Sequence, residues 1–368
     1  MEIIIIAQTP PPFHGQSIMQ QRLIDVKWDW CEKKFIRLDY SESISEVGKF
    51  AFIKVIKLLR IVLKVWIERL KGKIEILFYP PASPNRIPFY RDAATLLLTR
   101  WCAKKTIFHF HAGGFDMLYN KLSGFEKLIA ERTYGIPDAA IVLSDGLQDK
   151  IKWIKPRRIY IIPNGTRDHY LENLRKIEES GEINILSVGL LSESKGILNS
   201  LNAAAILKQN GHLFQWTFLG DWQSAQFRKE AEERVLKNEL GDLVLFSGSK
   251  HGEEKWKYYR IADIFCFPTF YENEATPLVV LEAMMMSLPI VTTRWRAIPD
   301  IVDDNVNGML IPVKDPKSLA EAIEKLIADR ELRLTLGRNA REKYIKEFTI
   351  EKHLSRVEAV FKETAGIG

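Results

Sequence analysis

Runs of four to six apolar, mostly β-branched residues recur along this chain, each closing in a loop and followed by a stretch of helical periodicity. A strand that is apolar at every position must be covered on both faces, and a parallel sheet sandwiched between helices does this. The first run, Glu2 to Ala7, ends in Gln8-Thr9-Pro10-Pro11-Pro12-Phe13-His14-Gly15-Gln16-Ser17, after which Ile18, Leu23 and Ile24 fall at helical spacing. Strands are predicted again at Ile74 to Tyr79, Thr106 to Phe110, Ala139 to Leu143 and Ile159 to Ile162. A polar stretch, Arg167 to Gly181, interrupts the rhythm. It restarts with Ile183 to Val188, then Gln215 to Leu219, Leu243 to Phe246, Ile264 to Phe267, Pro289 to Thr292 and Gly308 to Ile311.

The expectation is an α/β protein with two doubly wound, Rossmann-like parallel-sheet domains facing a cleft lined by the carboxyl ends of their strands. Residues 1–166 form the first domain, 167–181 a connector, 182–349 the second domain, and 350–368 a terminal helix that packs back towards the first domain. The length, 368 residues, exceeds what one core usually organises. Charge divides unequally between the halves. Residues 1–165 hold 26 Lys and Arg against 16 Asp and Glu, a balance of +10, and the remainder carries −4. Cys31, Cys102 and Cys266 have neither disulfide-framework nor zinc-cage spacing, which fits a reducing, cytoplasmic setting. Ile3 to Ile6 is too short for a signal peptide core, and no run reaches transmembrane length.

In such folds ligand-binding residues follow strands. After the strand ending Cys266-Phe267 comes Glu272-Asn273-Glu274-Ala275-Thr276-Pro277-Leu278-Val279-Val280-Leu281-Glu282-Ala283-Met284. A helix starting near Pro277 sets Glu274 in the loop before it and Glu282 on its second turn. The backbone N–H groups of Thr276, Leu278 and Val279 suit a phosphate, and the two carboxylates suit sugar hydroxyl pairs. Solvated helix-end charges are the alternative, but Glu282 lies within an apolar helix and needs a partner there, for which a ligand hydroxyl is a candidate. Lys195, in the Ser/Gly loop after Val188, is placed to neutralise a diphosphate, or is an exposed structural lysine. His109 and His111 alternate onto one side of their strand. No acid or thiol joins them at ligand spacing, so no metal is expected and a hydrogen-bonding role for His111 beside Gly113 and Gly114 is favoured.

Pro-Pro-x-x-Gly near the start, His-Ala-Gly-Gly at 111–114, Ile-Pro-Asn-Gly at 162–165, Ser-x-x-Lys-Gly at 192–196 and the Glu274/Glu282 pair together resemble the retaining family-four glycosyltransferases of GT-B fold, of the kind that builds bacterial cell-surface polysaccharides. The resemblance implies that Lys195 contacts the donor pyrophosphate, Glu282 binds the ribose hydroxyls and Glu274 orients hydroxyls of the transferred sugar. It further implies that Gly15 and Gln16 approach the donor phosphate and that His111 touches the donor sugar, without a bound metal or other cofactor. Two departures stand out. Leu190 occupies a position where many relatives carry Arg, and Thr293-Arg294-Trp295-Arg296-Ala297 replaces an acidic residue and paired glycines. Arg294 or Arg296 is the candidate for the missing charge, with surface arginines as the alternative. Front-face displacement on a nucleotide-sugar donor is the implied mechanism, with a polyprenyl-diphosphate-linked or other saccharide as acceptor.

From Lys49 to Lys73 a basic amphipathic helix is predicted, with Lys49, Lys54, Lys57, Arg60, Lys64 and Lys71 on one arc and Phe52, Ile56, Leu59, Leu63 and Trp66 mostly on the other. Its basic face either meets solvent or docks on an anionic membrane, which would make the protein peripheral on the inner face of the cell membrane. No nucleic-acid motif accompanies it, so no nucleic-acid partner is expected. A sugar-nucleotide epimerase or hydrolase of the same fold, and a non-enzymatic basic membrane-binding module, remain the competing readings.

Overall fold

The computed structural model describes residues 1–11, 14–38, 52–170 and 182–367, without the side chains of residues 52–54. Two compact units divide it, one formed by Met1–Gly165 with Glu351–Gly368 and the other by Thr166–Ile350. Within the first unit six strands form one parallel sheet: β1 (Glu2–Ala7), β2 (Glu32–Arg37), β3 (Ile74–Tyr79), β4 (Ala103–Phe110), β5 (Ala139–Val142) and β6 (Ile159–Ile161). Their spatial order is β2-β1-β3-β4-β5-β6. The second unit holds β7 (Ile183–Val188), β8 (Phe214–Leu219), β9 (Val244–Phe246), β10 (Ile264–Phe267), β11 (Ile290–Thr293) and β12 (Gly308–Ile311), in the order β12-β11-β10-β7-β8-β9. Both sheets are parallel throughout. The doubly wound class expected from the strand rhythm is therefore what forms.

Strand order reverses between β1 and β3 in the first sheet and between β7 and β10 in the second. At such a point the two flanking connections leave to opposite sides of the sheet, opening a crevice beyond the carboxyl ends of the strands. One strand escaped the sequence reading: β2, Glu-Lys-Lys-Phe-Ile-Arg, is an edge strand whose charges interrupt the apolar pattern that marks the others. Lys33 accounts for its oddity, because its amine reaches back to the carbonyls of Leu23 (2.7 Å) and Val26.

The terminal helix Ile350–Ala365 belongs to the first unit from Glu351 onward and buries Val357, Val360 and Phe361 there. Phe361 packs edge-on to Trp28 (centroids 5.0 Å) and tilted against Phe78 (5.2 Å). A buried phenylalanine stabilises by about 2–3 kcal/mol, enough to hold a short helix that would not persist alone.

The helix Phe52–Lys71 corrects the sequence reading. Its packed side is Ile61, Val62 and Val65, all at most 3% exposed, whereas Leu59, Leu63 and Trp66, expected on the core side, face outward. Apolar residues occupy most of this helix's circumference, so the cationic arc alone does not identify the buried one. Lys49 and the side chain of Lys54 lie outside the described residues.

Candidate functional site

In the second unit the loops after β7 and β10 are stitched together at the strand-order reversal. Ser187 on β7 donates to the Cys266 carbonyl on β10 (2.7 Å) and accepts from the Trp216 indole on β8 (3.0 Å), locking three strands at their carboxyl end. Beyond them the Ser194 carbonyl accepts from the Phe270 N–H (2.8 Å). Gly196 adopts φ +80°, and a Cβ there would meet the Pro268 carbonyl oxygen at 2.2 Å, so only glycine allows the two loops to approach this closely. The result brings Lys195 to Glu274: Nζ lies 2.5 Å from Oε2, which also accepts from the Thr269 hydroxyl at 2.9 Å. The ammonium sits over the Tyr271 ring at 4.7 Å. Glu274 is 7% exposed, and Lys195 lines a small cavity with Gly189, Leu190, Phe267 and Pro268.

Glu274 leads into the helix Leu278–Met285, for which Pro277 is the cap rather than the first helical residue. Leu278 and Val279 form its first turn, where N–H groups lack partners within the helix. Glu282, 8% exposed, points to a second cluster: Oε1 accepts from the Lys255 amine (2.6 Å) and Oε2 from the Tyr259 hydroxyl (2.9 Å). The partner that this carboxylate needs is thus supplied by the chain itself, through Lys255 and Tyr259. Burial, the nearby Glu282 charge and the hydrogen bond to it push the Tyr259 phenol well up, so it donates throughout the physiological range.

Arg294 and Arg296 follow β11 in the same unit. Arg294 is bonded to Asp304 (2.7 Å), while Arg296, at φ +51°, lays its guanidinium on Trp295 (5.0 Å), whose indole donates to the Tyr271 carbonyl (2.8 Å). Arg296 is therefore connected to the Lys195 cluster through Trp295 and Tyr271, and Arg294 is engaged elsewhere. Thr276 is 4% exposed, between Glu274 and the helix.

In the first unit the reversal lies between β1 and β3. Gly15 and Gln16 open the helix Gly15–Asp25, capped by His14, and Gln16 donates to the carbonyls of Pro80 (3.2 Å) and Pro81 (3.3 Å) just beyond β3. His111 follows β4, with its Nε2 2.7 Å from the Gln20 amide. Its ring lies 3.9 Å from that of His109, on one side of the strand as the alternation requires, and His109 in turn stacks on His353 of the terminal helix (5.9 Å). Burial, reinforced by the neighbouring His353 and His14, lowers His111 to about 3, and burial lowers His353 to about 4, so both rings are neutral near pH 7. A neutral imidazole can donate or accept a hydrogen bond without adding charge. Among the described residues no group of three or more His, Cys, Asp or Glu is placed to hold a metal ion.

The structure thus gathers Lys195 and Glu274 in one cluster with Thr269 and Tyr271, and Glu282 in a second with Lys255 and Tyr259, four residues that sequence reasoning missed. Thr269 is five residues from Glu274 and was within reach of inspection. Lys255 is 27 residues from Glu282 on another helix, and nothing in the sequence pairs them.

Residues 171–343 match the family model described as Glycosyl transferases group 1. The chain is 33% identical over 148 residues to the amylovoran biosynthesis glycosyltransferase AmsK of Erwinia amylovora, covering 39% of this chain and 36% of that protein. The chain spans between 24% and 60% of the length of eight curated relatives that it matches. In fold it is similar to sucrose-phosphate synthase from Thermosynechococcus elongatus, at TM-score 0.78 and 19% identity over 100% of both chains. It is also similar to Anabaena HepE in complex with UDP, at TM-score 0.75 and 16% identity over 99% of this chain and 100% of that one.

Proposed function

We propose that this chain, which carries a glycosyl transferases group 1 domain over residues 171–343 in a GT-B-like fold, transfers a sugar from a nucleotide-sugar donor to a saccharide acceptor in polysaccharide biosynthesis. The observation that carries the reading is the Lys195–Glu274 pair at the strand-order reversal of the second sheet, with Glu282 two helical turns further along. A diphosphate accepts hydrogen bonds from Lys195 and from the N–H groups of Thr276, Leu278 and Val279, aided by the positive end of the helix Leu278–Met285. Lys195 has three N–H donors and holds Glu274 with one of them, so the others can turn to a diphosphate. Donor arrival draws the ammonium towards phosphate and frees a Glu274 oxygen for a hydroxyl of the sugar.

Glu282 takes the ribose hydroxyls, exchanging hydrogen bonds from Lys255 and Tyr259 for those of the ligand. Gly15, Gln16 and neutral His111 serve the donor from the first unit, His111 at a sugar hydroxyl close to the reacting carbon. Charge building on the departing diphosphate is stabilised by Lys195, by the helix N-terminus and by Arg296, which replaces the positive charge that Leu190 does not provide. Transfer retains the anomeric configuration, the leaving phosphate oxygen accepting the proton of the incoming hydroxyl. The acceptor is lipid-linked, so the protein works at a membrane surface. The amylovoran enzyme's role in polysaccharide biosynthesis and the UDP bound in HepE support this reading by likeness.

The test is a thermal-shift panel of nucleoside diphosphates and nucleotide sugars, followed by transfer with the best donor and proton NMR of the product's anomeric centre. Stabilisation by one donor family and an unchanged anomeric configuration are expected. Turnover of the donor at full rate without any acceptor would favour an epimerase or hydrolase instead.

A further inference from the structure

The outward side of the helix Phe52–Lys71 is apolar. Leu59, Leu63, Ile67 and Leu70 are 50–88% exposed, and Trp66 is 37% exposed. Their spacing of four, three, one and three residues makes one continuous stripe along the helix. Trp101, 64% exposed, extends it, with its ring 6.3 Å from that of Trp66. The Trp66 indole donates to the Leu98 carbonyl (2.8 Å), which fixes the stripe to the neighbouring helix. A patch of this kind marks an interaction surface, since a large exposed aliphatic cluster costs solubility without a partner.

Cations surround the stripe. Arg60 and Lys64 are exposed on the same helix. At its end Arg69, Lys73 and Lys104 line a cavity of about 190 Å³ whose wall includes Trp101. Within it Lys104 is paired with Glu75 (2.5 Å) and Arg69 donates to the Gly72 carbonyl (3.2 Å), so donors remain on all three side chains. The cavity lies where β3 and β4 begin, whereas His111 lies beyond the end of β4. At about 3.3 Å per residue an eight-residue strand separates the two by roughly 23 Å.

We propose that this cavity is a binding site for the phosphate of an anionic phospholipid, and that the stripe beside it inserts between the lipid chains. Leu63, Ile67 and Leu70 enter the acyl region, Trp66 and Trp101 lie at the level of the glycerol, and Arg69, Lys73 and Lys104 receive the headgroup. A second copy of this chain is a poor occupant, because a two-fold contact across the stripe would bring the exposed cations beside one stripe, Arg60 and Lys64, up to those beside the other. Nucleic acid offers nothing to the aliphatic side chains. The inference rests on the proposed function only for its purpose, holding the enzyme where a lipid-linked acceptor is found; lipid binding can be measured without transfer.

The experiment is co-sedimentation with vesicles of phosphatidylcholine alone and of phosphatidylcholine with 30% phosphatidylglycerol. The wild-type protein is expected to bind the anionic vesicles at least tenfold more tightly. The double variant Ile67→Asn/Leu70→Asn, whose changes lie in solvent and leave the core intact, should lose at least tenfold on both compositions. Arg69→Gln/Lys73→Gln should lose the anionic preference while retaining weak binding to neutral vesicles. Nucleoside-diphosphate affinity should be unchanged in both, which separates failure of this proposal from failure of the donor site. Equal binding of wild type to both vesicle types overturns the headgroup site. Absence of vesicle binding, or a concentration-dependent dimer that the Ile67/Leu70 changes dissolve, overturns the proposal altogether.

Discussion

Replacing Lys255 by methionine removes the ammonium that holds one oxygen of Glu282 while keeping most of the side-chain volume. Both side chains are largely buried, at 18% and 11% exposure, and the Nζ–Oε1 distance is 2.6 Å. Breaking a buried ion pair by deleting one partner costs about 3–5 kcal/mol, because the other charge is stranded. Here the residual exposure and the surviving 2.9 Å bond from Tyr259 reduce that to about 2–3 kcal/mol. For a unit of this size roughly 2–4 °C of Tm accompanies each kcal/mol, so Lys255→Met should lower the second unit's Tm by about 4–12 °C. Glu282→Gln leaves a neutral amide in the same place. Once the glutamine is present, losing Lys255 should cost about 1–2 kcal/mol less than it does in the wild type. Thermal and urea unfolding of the two single variants and the double complete the cycle. Additivity within about 0.5 kcal/mol would refute the claim that these two residues form one electrostatic unit.

Acidification should destabilise the first unit through its buried histidines. Unfolded histidines titrate near 6.5, while His353 and His111 are held at about 4 and about 3 and His109 well below its ordinary value. Stability from keeping them neutral is fully present above pH 6.5 and declines as the pH falls towards 4, by up to about 1.4 kcal/mol per pH unit for each ring. Their Cε1 proton shifts should stay at neutral positions down to pH 5 while the urea midpoint falls; a shift change centred near 6.5 would contradict this. Gly196→Ala should cost more than about 2 kcal/mol, since the added methyl meets a backbone carbonyl, and should weaken nucleotide binding with it; full retention of both would show the loop can move aside. Glu274→Gln is expected to cut transfer at least a hundredfold while leaving nucleoside-diphosphate affinity within threefold, measured by steady-state kinetics and calorimetry.

The fold was legible because its strands are buried on both faces, and Ile3 to Ile6 or Phe265 to Phe267 can be little else. The strand that escaped, β2, is an edge whose lysines find their partners elsewhere in the chain, Lys33 at the Leu23 carbonyl of the preceding helix and Lys34 at Glu68, 34 residues away. Lys195, Glu274 and Glu282 were legible as groups placed after strands of an α/β sheet. Their mutual contacts were not, since the Lys195–Glu274 pair spans 79 residues and depends on Gly196 letting two loops meet. The helix Phe52–Lys71 misled for a different reason: charge periodicity locates the solvated side only when the rest of the circumference is buried, and here a second apolar face is exposed.

Calorimetric binding of a nucleoside diphosphate to the wild-type protein and to Lys195→Met tests the central claim most directly. The account predicts saturable binding by the wild type, weakened roughly ten- to a hundredfold in the variant, as expected for losing one charge-assisted phosphate contact. No binding of any nucleoside diphosphate at millimolar concentration, or equal binding by both proteins, would contradict it.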